Sequence, residues 1–260
     1  MKLARRGILA SMAVGGLLVI GSVAPTYAAQ APSPLAPEVS QAGRAQPCAV
    51  QRTAARDASV GNLRKLGNCE IDRRLVSITV LQDHVAIAGG LAGADRTALQ
   101  SQLTADTSGL TALRTAIDAE TDVTVLRADL GKIVTGYRIY LLMVPKTAEV
   151  IAADAELAAV ARLDTLSTKL QARITAAGAG GKDVTAAQAD LDAMIAKVGQ
   201  VSPLVSGIPA AVLPLTPAQY NGGTARPILV SSHASLQSGR ALLNAARADA
   251  AACRAALKAR

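Results

Sequence analysis

A chain of 260 residues with no Phe or Trp, four Tyr and half its residues apolar must build its core from Ala, Leu, Val and Ile. Such a core packs helices closely and offers few aromatic platforms, which argues against recognition of single-stranded nucleic acid or glycans by stacking. Lys and Arg number 27 against 19 Asp and Glu, a formal net charge of +8; this permits attraction to anionic polymers or lipid headgroups without demanding nucleic acid.

The chain starts with the three parts of a secretory signal. Lys2, Arg5 and Arg6 precede an uncharged apolar stretch over residues 8–23, and Ala24-Pro25-Thr26-Tyr27-Ala28-Ala29 supplies a helix stop and small residues for a peptidase. The expectation is a signal peptide over residues 1–29, cleaved after Ala28 or Ala29. The apolar run is shorter than the roughly 20 residues a spanning helix needs, so no transmembrane span is expected after cleavage. With 27 basic residues less the three in this leader, against 19 acidic ones, the remaining chain carries about +5.

Residues 30–56, rich in Ala, Pro, Ser and Gln, lack an apolar period and predict a disordered stalk. From residue 57 to 260 the helical period predicts one helical bundle domain. Ile71, Leu75, Ile78 and Val85 mark a first face, ended by Gly89-Gly90. Asp95 suits the N-cap of a second helix, with Leu99, Leu103, Leu110, Leu113 and Ile117 on its face. A third start near Thr121-Asp122 leads through Leu126, Leu130, Ile133, Tyr137, Tyr140 and Val144 at heptad-like spacing. Pro145 interrupts, and Leu157, Val160, Leu163, Leu166, Leu170 and Ile174 resume the period until Gly178-Ala179-Gly180-Gly181. With no turn residues flanking Pro145, a kink is expected there within one long helix over residues 122–177. Thr185 and Gln188 fit a capping box for a helix carrying Ala187, Leu191, Met194, Val198 and Val201. Five prolines and Asn221-Gly222-Gly223 then predict a long irregular connection over residues 202–227. A last helix carries Leu229, Leu236, Leu243 and Leu257. The expected class is all-α: an elongated antiparallel helical bundle or coiled coil, with one long helix kinked near Pro145.

The residues that carry chemistry are sparse. His84 and His233 have no ligand partners at zinc spacing, and the chain beyond the leader holds no serine-nucleophile motif. Gly178–Asp183 lacks the first glycine and the hydroxyl of a phosphate loop and reads as a helix-ending turn. Asp118, Glu120 and Asp122 lack the calcium-loop pattern and suit helix capping. Asp122-Val123-Thr124 and Asp183-Val184-Thr185 echo one another, which shared capping explains as well as duplication does. No catalytic, cofactor or metal site is expected, and the protein is read as not an enzyme. Cys48, Cys69 and Cys253 predict one disulfide in an oxidising compartment; Cys69–Cys253 is favoured as a staple between the domain's ends, with Cys48 free or intermolecular. Tyr137, Arg138 and Tyr140, within the densest apolar run, form a candidate core or interface strip, with the two tyrosines at i, i+3 on one helix face pointing into the bundle.

Ile71-Asp72-Arg73-Arg74, Leu110-Thr111-Ala112-Leu113, Leu126-Arg127-Ala128-Asp129, Tyr137-Arg138-Ile139-Tyr140 with Pro145-Lys146, and Gly181-Lys182-Asp183-Val184 occur in this order. The set resembles a group of exported, alanine-rich helical proteins of bacteria over roughly residues 69–258. The resemblance implies a secreted or cell-envelope-associated helical protein and no activity. The expected function is therefore a non-enzymatic structural or interaction protein of the envelope or extracellular space. Its partner would be an envelope protein or an anionic wall polymer, with self-association possible. The alternative is a ligand-binding or enzymatic domain whose site lies under residues 202–227, lined by Tyr220, Arg226 and facing carboxylates.

Overall fold

The computed structural model describes residues 48–258; the expected leader and stalk residues 30–47 lie outside the described residues. The fold is all-helical, with no strand among the described residues. In chain order it comprises α1 (Ala49–Ala54), a 3-10 turn (Ala55–Asp57), α2 (Val60–Ile87), α3 (Gly93–Ala119), α4 (Val123–Thr135) and a π-turn (Ile139–Met143). There follow α5 (Val144–Ala179), α6 (Thr185–Val205), α7 (Ile208–Val212), α8 (Pro217–Asn221) and α9 (Ala225–Lys258).

The apolar periods decide which faces meet. Ile71, Ile78, Leu81 and Val85 of α2 are buried against α3 and α4, which contribute Leu99, Leu103, Leu110 and Ile117 and Leu126 and Ile133. Polar cross-links fix the direction of the α2–α3 pair. Arg64 donates to the Glu120 carbonyl, Asn68 donates to Asp118 at 2.8 Å, and Arg114 pairs with Asp72, so the two helices run in opposite directions. A second group is α5, α6 and α9. Gln171 bonds Gln188 at 3.0 Å and Lys197 bonds Asp249 at 2.5 Å, which tie α6 to α5 and to α9.

α5 links the two groups. Its first half packs against residues of α2, α3 and α7, with Ala92 N–H donating to Asp154 at 2.7 Å and Gly90 backed against Ala155. Its second half follows the usual amphipathic period through Leu163, Leu170 and Ile174. The stretch Thr185–Val212 is long and apolar enough by length and composition to cross a membrane, with a mean hydropathy of 1.2. Here its apolar residues serve the core: Ala187, Leu191, Met194, Val198, Val201 and Val205 are all buried.

Several boundaries differ from the sequence expectations. The expected kink at Pro145 is instead a break seven residues earlier, where Arg138 adopts the left-handed backbone conformation, φ 48°. The Arg138 carbonyl then accepts the N–H groups of Leu141, Leu142 and Met143 at 3.1, 2.8 and 3.4 Å. Pro145 is the second residue of α5, directly after the π-turn, whose last bond runs from the Val144 N–H to the Ile139 carbonyl. The connection over residues 202–227 is largely helical. α6 runs through Pro203 to Val205, Pro209 and Pro217 open α7 and α8, and the capping box belongs to Thr216 and Gln219. At Thr185 no side chain caps the helix, and Asp183 accepts the Thr185 N–H instead, at 2.9 Å. α3 begins at Gly93 rather than beyond Asp95, which lies in its first turn. The glycine stop after α5 holds: Gly181, φ 77°, closes it, with Lys182 N–H on the Ala177 carbonyl and Gly181 N–H on that of Gly178.

The disulfide joins Cys48 to Cys69, and Cys253 is a free, buried thiol, which corrects the Cys69–Cys253 pairing. Cys69 lies on α2, which α1 packs against, whereas α9 packs chiefly against α5 and α6. The bridge also corrects the stalk boundary. Residues 48–56 are folded, tied by the disulfide and by an ion pair from Arg52 to Glu70. Glu70 also accepts from Arg74 at 2.9 Å. Burial works to raise its pKa, but the hydrogen bonds from Arg74 and Arg52 and the charges of Arg74 and Arg73 hold it below its ordinary value. Such a bridge fits an oxidising, extracytoplasmic environment. Cys48→Ser should lower the stability by about 3 kcal/mol, the loop entropy of a bridge of this span. Urea melts check the figure; a loss under about 1 kcal/mol would mean that Arg52–Glu70 alone holds α1.

Candidate functional site

The strip Tyr137, Arg138 and Tyr140 does not share one helix face. The left-handed turn at Arg138 sends the three side chains to three elements. The guanidinium groups of Arg73 and Arg74 lie 5.7 and 5.5 Å from the Tyr140 ring centre, and the Tyr140 hydroxyl donates to the Arg73 carbonyl at 3.2 Å. Tyr137 covers Gly109 of α3 so closely that a Cβ there would meet its hydroxyl at 2.6 Å. Burial, and then the charge of Asp106, raise the pKa of Tyr137. Arg138 donates to Asn221 Oδ1 at 2.6 Å and lies 5.6 Å from the Tyr220 ring centre. These residues fasten the π-turn to α2, α3 and α8.

Under the α7–α8 connection the structure places a different set from the expected Tyr220, Arg226 and carboxylates. Tyr220 is engaged with Arg138, and Arg226 is exposed. Beneath lies Lys146, 2% exposed, which donates to Gln102 Oε1 at 2.7 Å and to the Leu213 and Leu215 carbonyls at 3.1 and 2.6 Å. Burial lowers its pKa to about 8, opposed by the charge of Asp106. Asp106 is raised to about 6 by burial, with Lys146 opposing. Further along α5, Glu149 is pushed up to about 8 by burial alone. Glu156 rises to about 7 by burial, offset in part by Arg240. Among the described residues, Thr147 Oγ1, Glu149 Oε2 and both carboxylate oxygens of Glu156 have no hydrogen-bond partner. All three donors of the Lys146 ammonium are occupied, so this lysine ties the connection down and is not poised to attack a substrate.

An open groove of about 500 Å³ lies between the C-terminal halves of α5 and α9. Its cations are Lys169 and Arg173 of α5 and Arg254 and Lys258 of α9, all exposed. None makes an ion pair among the described residues. Leu166, Leu170, Ala177 and Leu257 supply its apolar wall. The spacings follow one face of each helix, which is why these residues converge. Attraction to the negative end of a helix accounts for a cation in the last turn, such as Lys258, but that effect fades within one turn. Lys169 and Arg173 lie further back from the end of α5 at Ala179. Sequence reasoning missed this groove. Its one visible signal is the interleaving of basic and leucine residues at Leu166, Lys169, Leu170 and Arg173, which the apolar period absorbs.

The acidic cluster is consumed by capping. Asp118 accepts from Asn68, Glu120 accepts the N–H groups of Thr121 and Asp122 at 2.7 and 2.8 Å, and Asp122 caps α4. No group of His, Cys, Asp or Glu among the described residues is placed to hold a metal ion. No family model matches the chain, and no curated protein or solved structure matches it either.

Proposed function

We propose that the protein is an exported, non-enzymatic interaction module of the cell envelope, an antiparallel helical bundle that binds anionic groups in the α5–α9 groove. The observation that supports this reading is the make-up of the groove. It gathers four exposed cations over aliphatic side chains, with no carboxylate, hydroxyl, thiol or imidazole in its lining. Such a surface attracts and holds an anion but supplies no acid–base pair to transform it. Of the groups whose pKa is moved furthest, Lys146, Glu149 and Glu156 are buried and Asp106 is half-buried, and none of the four lines the groove. The disulfide and the leader-like start agree with a site of action outside the cytoplasm.

The test is co-sedimentation of the leader-free, disulfide-intact protein with isolated bacterial envelopes. Retention is expected at low salt, with loss at high salt as the charges are screened. Replacing both Arg173 and Arg254 with Glu should abolish it. Retention that ignores salt, or that survives the double replacement, would overturn the reading.

A further inference from the structure

The groove's half-buried apolar side chains, Leu166, Ala177 and Leu257, indicate the class of ligand. We propose that the groove takes a single-chain anionic amphiphile, its head held by the cations and its alkyl chain laid along Leu166, Ala177 and Leu257; this rests on the groove binding anions at all.

Three observations carry it. The first is interleaving: the half-buried Leu166 and Ala177 flank Lys169 and Arg173 on α5, and Leu257 lies between Arg254 and Lys258 on α9, so a ligand that meets the charges also meets apolar side chains. The alkyl stems of lysine and arginine widen that apolar wall while their charged ends stay in water. The second is size. A volume of about 500 Å³ lies within the range that encloses small ligands, and the α5 wall from residue 166 to 177 runs about 16 Å at the helical rise of ~1.5 Å per residue. That length suits a medium alkyl chain. The third is what the lining omits. It contains no aromatic ring to stack a sugar and no acidic residue to repel an anionic head. A polyanionic wall polymer would need a longer track of charge and would gain nothing from the leucines.

Titration calorimetry on the leader-free, disulfide-intact protein tests this with hexyl, octyl and decyl phosphate below their micellar concentrations, inorganic phosphate, and a poly(glycerol phosphate). Affinity should rise up to about fourfold for each added methylene, the transfer free energy of one CH₂ expressed as a binding ratio. Inorganic phosphate should bind at least about a hundredfold more weakly than decyl phosphate. Leu257→Gln should flatten the chain-length series, and Arg173→Gln with Arg254→Gln should weaken every anion alike. The wild-type series decides the matter even where a variant folds poorly. Equal affinity across the chain lengths, or binding of the polymer without the alkyl phosphates, overturns the amphiphile and leaves the anion site standing. No binding by any of these probes, together with no envelope retention, removes both.

Discussion

Replacing Lys146 with methionine should lower the unfolding free energy by about 1–3 kcal/mol at pH 7, the range for leaving a buried acceptor without its donor. Among the described residues, Lys146 is the only side-chain donor to the Leu215 carbonyl, and it shares the Leu213 carbonyl with Gln102. Methionine keeps most of the volume and none of the donors, so the Leu215 carbonyl and Gln102 Oε1 lose their donor while the Leu213 carbonyl keeps Gln102. It also leaves the Asp106 carboxylate, with one oxygen already lacking a partner, without its neighbouring cation. Adding Asp106→Asn should therefore recover part of the loss, a coupling that a double-mutant cycle isolates. The sign of the pH dependence follows from the lowered pKa. Between about pH 8, where folded Lys146 titrates, and its ordinary value of 10.5, the unfolded chain holds a proton that the folded chain does not. The penalty for burying the charge is thus full below pH 8 and is lifted as the pH rises through that window. Urea melts with unchanged slope supply the measurement. A loss under about 1 kcal/mol would show that water takes over the lysine's bonds.

What the sequence reveals is what is local. Asp122-Val123-Thr124 and Asp183-Val184-Thr185 look alike because each aspartate accepts backbone N–H groups just ahead of it, and those bonds hold both carboxyls below their ordinary pKa. The leucines of α3 and α9 are legible because a helix buries one stripe. Legibility fails at α5, where Lys146, Thr147, Ala148, Glu149 and Val150 are all buried. A polar stretch with no apolar period gives no sign of its burial, which for Lys146 comes with Gln102 of α3 and the Leu213 and Leu215 carbonyls, distant in the chain. The disulfide escapes the sequence for the same reason: Cys253 shares the apolar face of its own helix, but which helix it meets is a tertiary fact. Prolines mislead in the opposite direction. Pro209 and Pro217 look like breaks, yet each sits in a first turn, where the ring is favourable. The actual break is at Arg138, a residue with no intrinsic preference for a left-handed backbone.

Glu149 sets the second large effect. The residue is 4% exposed, one carboxyl oxygen has no partner among the described residues, and burial alone raises its pKa from 4.5 to about 8. Glu156 follows it to about 7, in contact range of Gly239, where even an added methyl would collide with the carboxylate. Across the window from about pH 4.5 to pH 8 the folded chain holds protons that the unfolded chain has released. Stability is therefore greatest at the acid end and is lost as the pH rises through the folded-state values. Glu149→Gln keeps the shape and removes the ionisation. At pH 5 the variant should match the parent to within about 1 kcal/mol, since a protonated acid and an amide make similar demands. At pH 8 it should be more stable by about 2–4 kcal/mol, since each tenfold change in proton affinity on folding is worth about 1.4 kcal/mol. The crossover distinguishes ionisation from packing, because a packing change would move both pH values equally. A parent whose stability rises between pH 5 and pH 8, with the variant parallel to it, would mean that this carboxyl ionises without cost, and α5 would then not be a sealed polar helix.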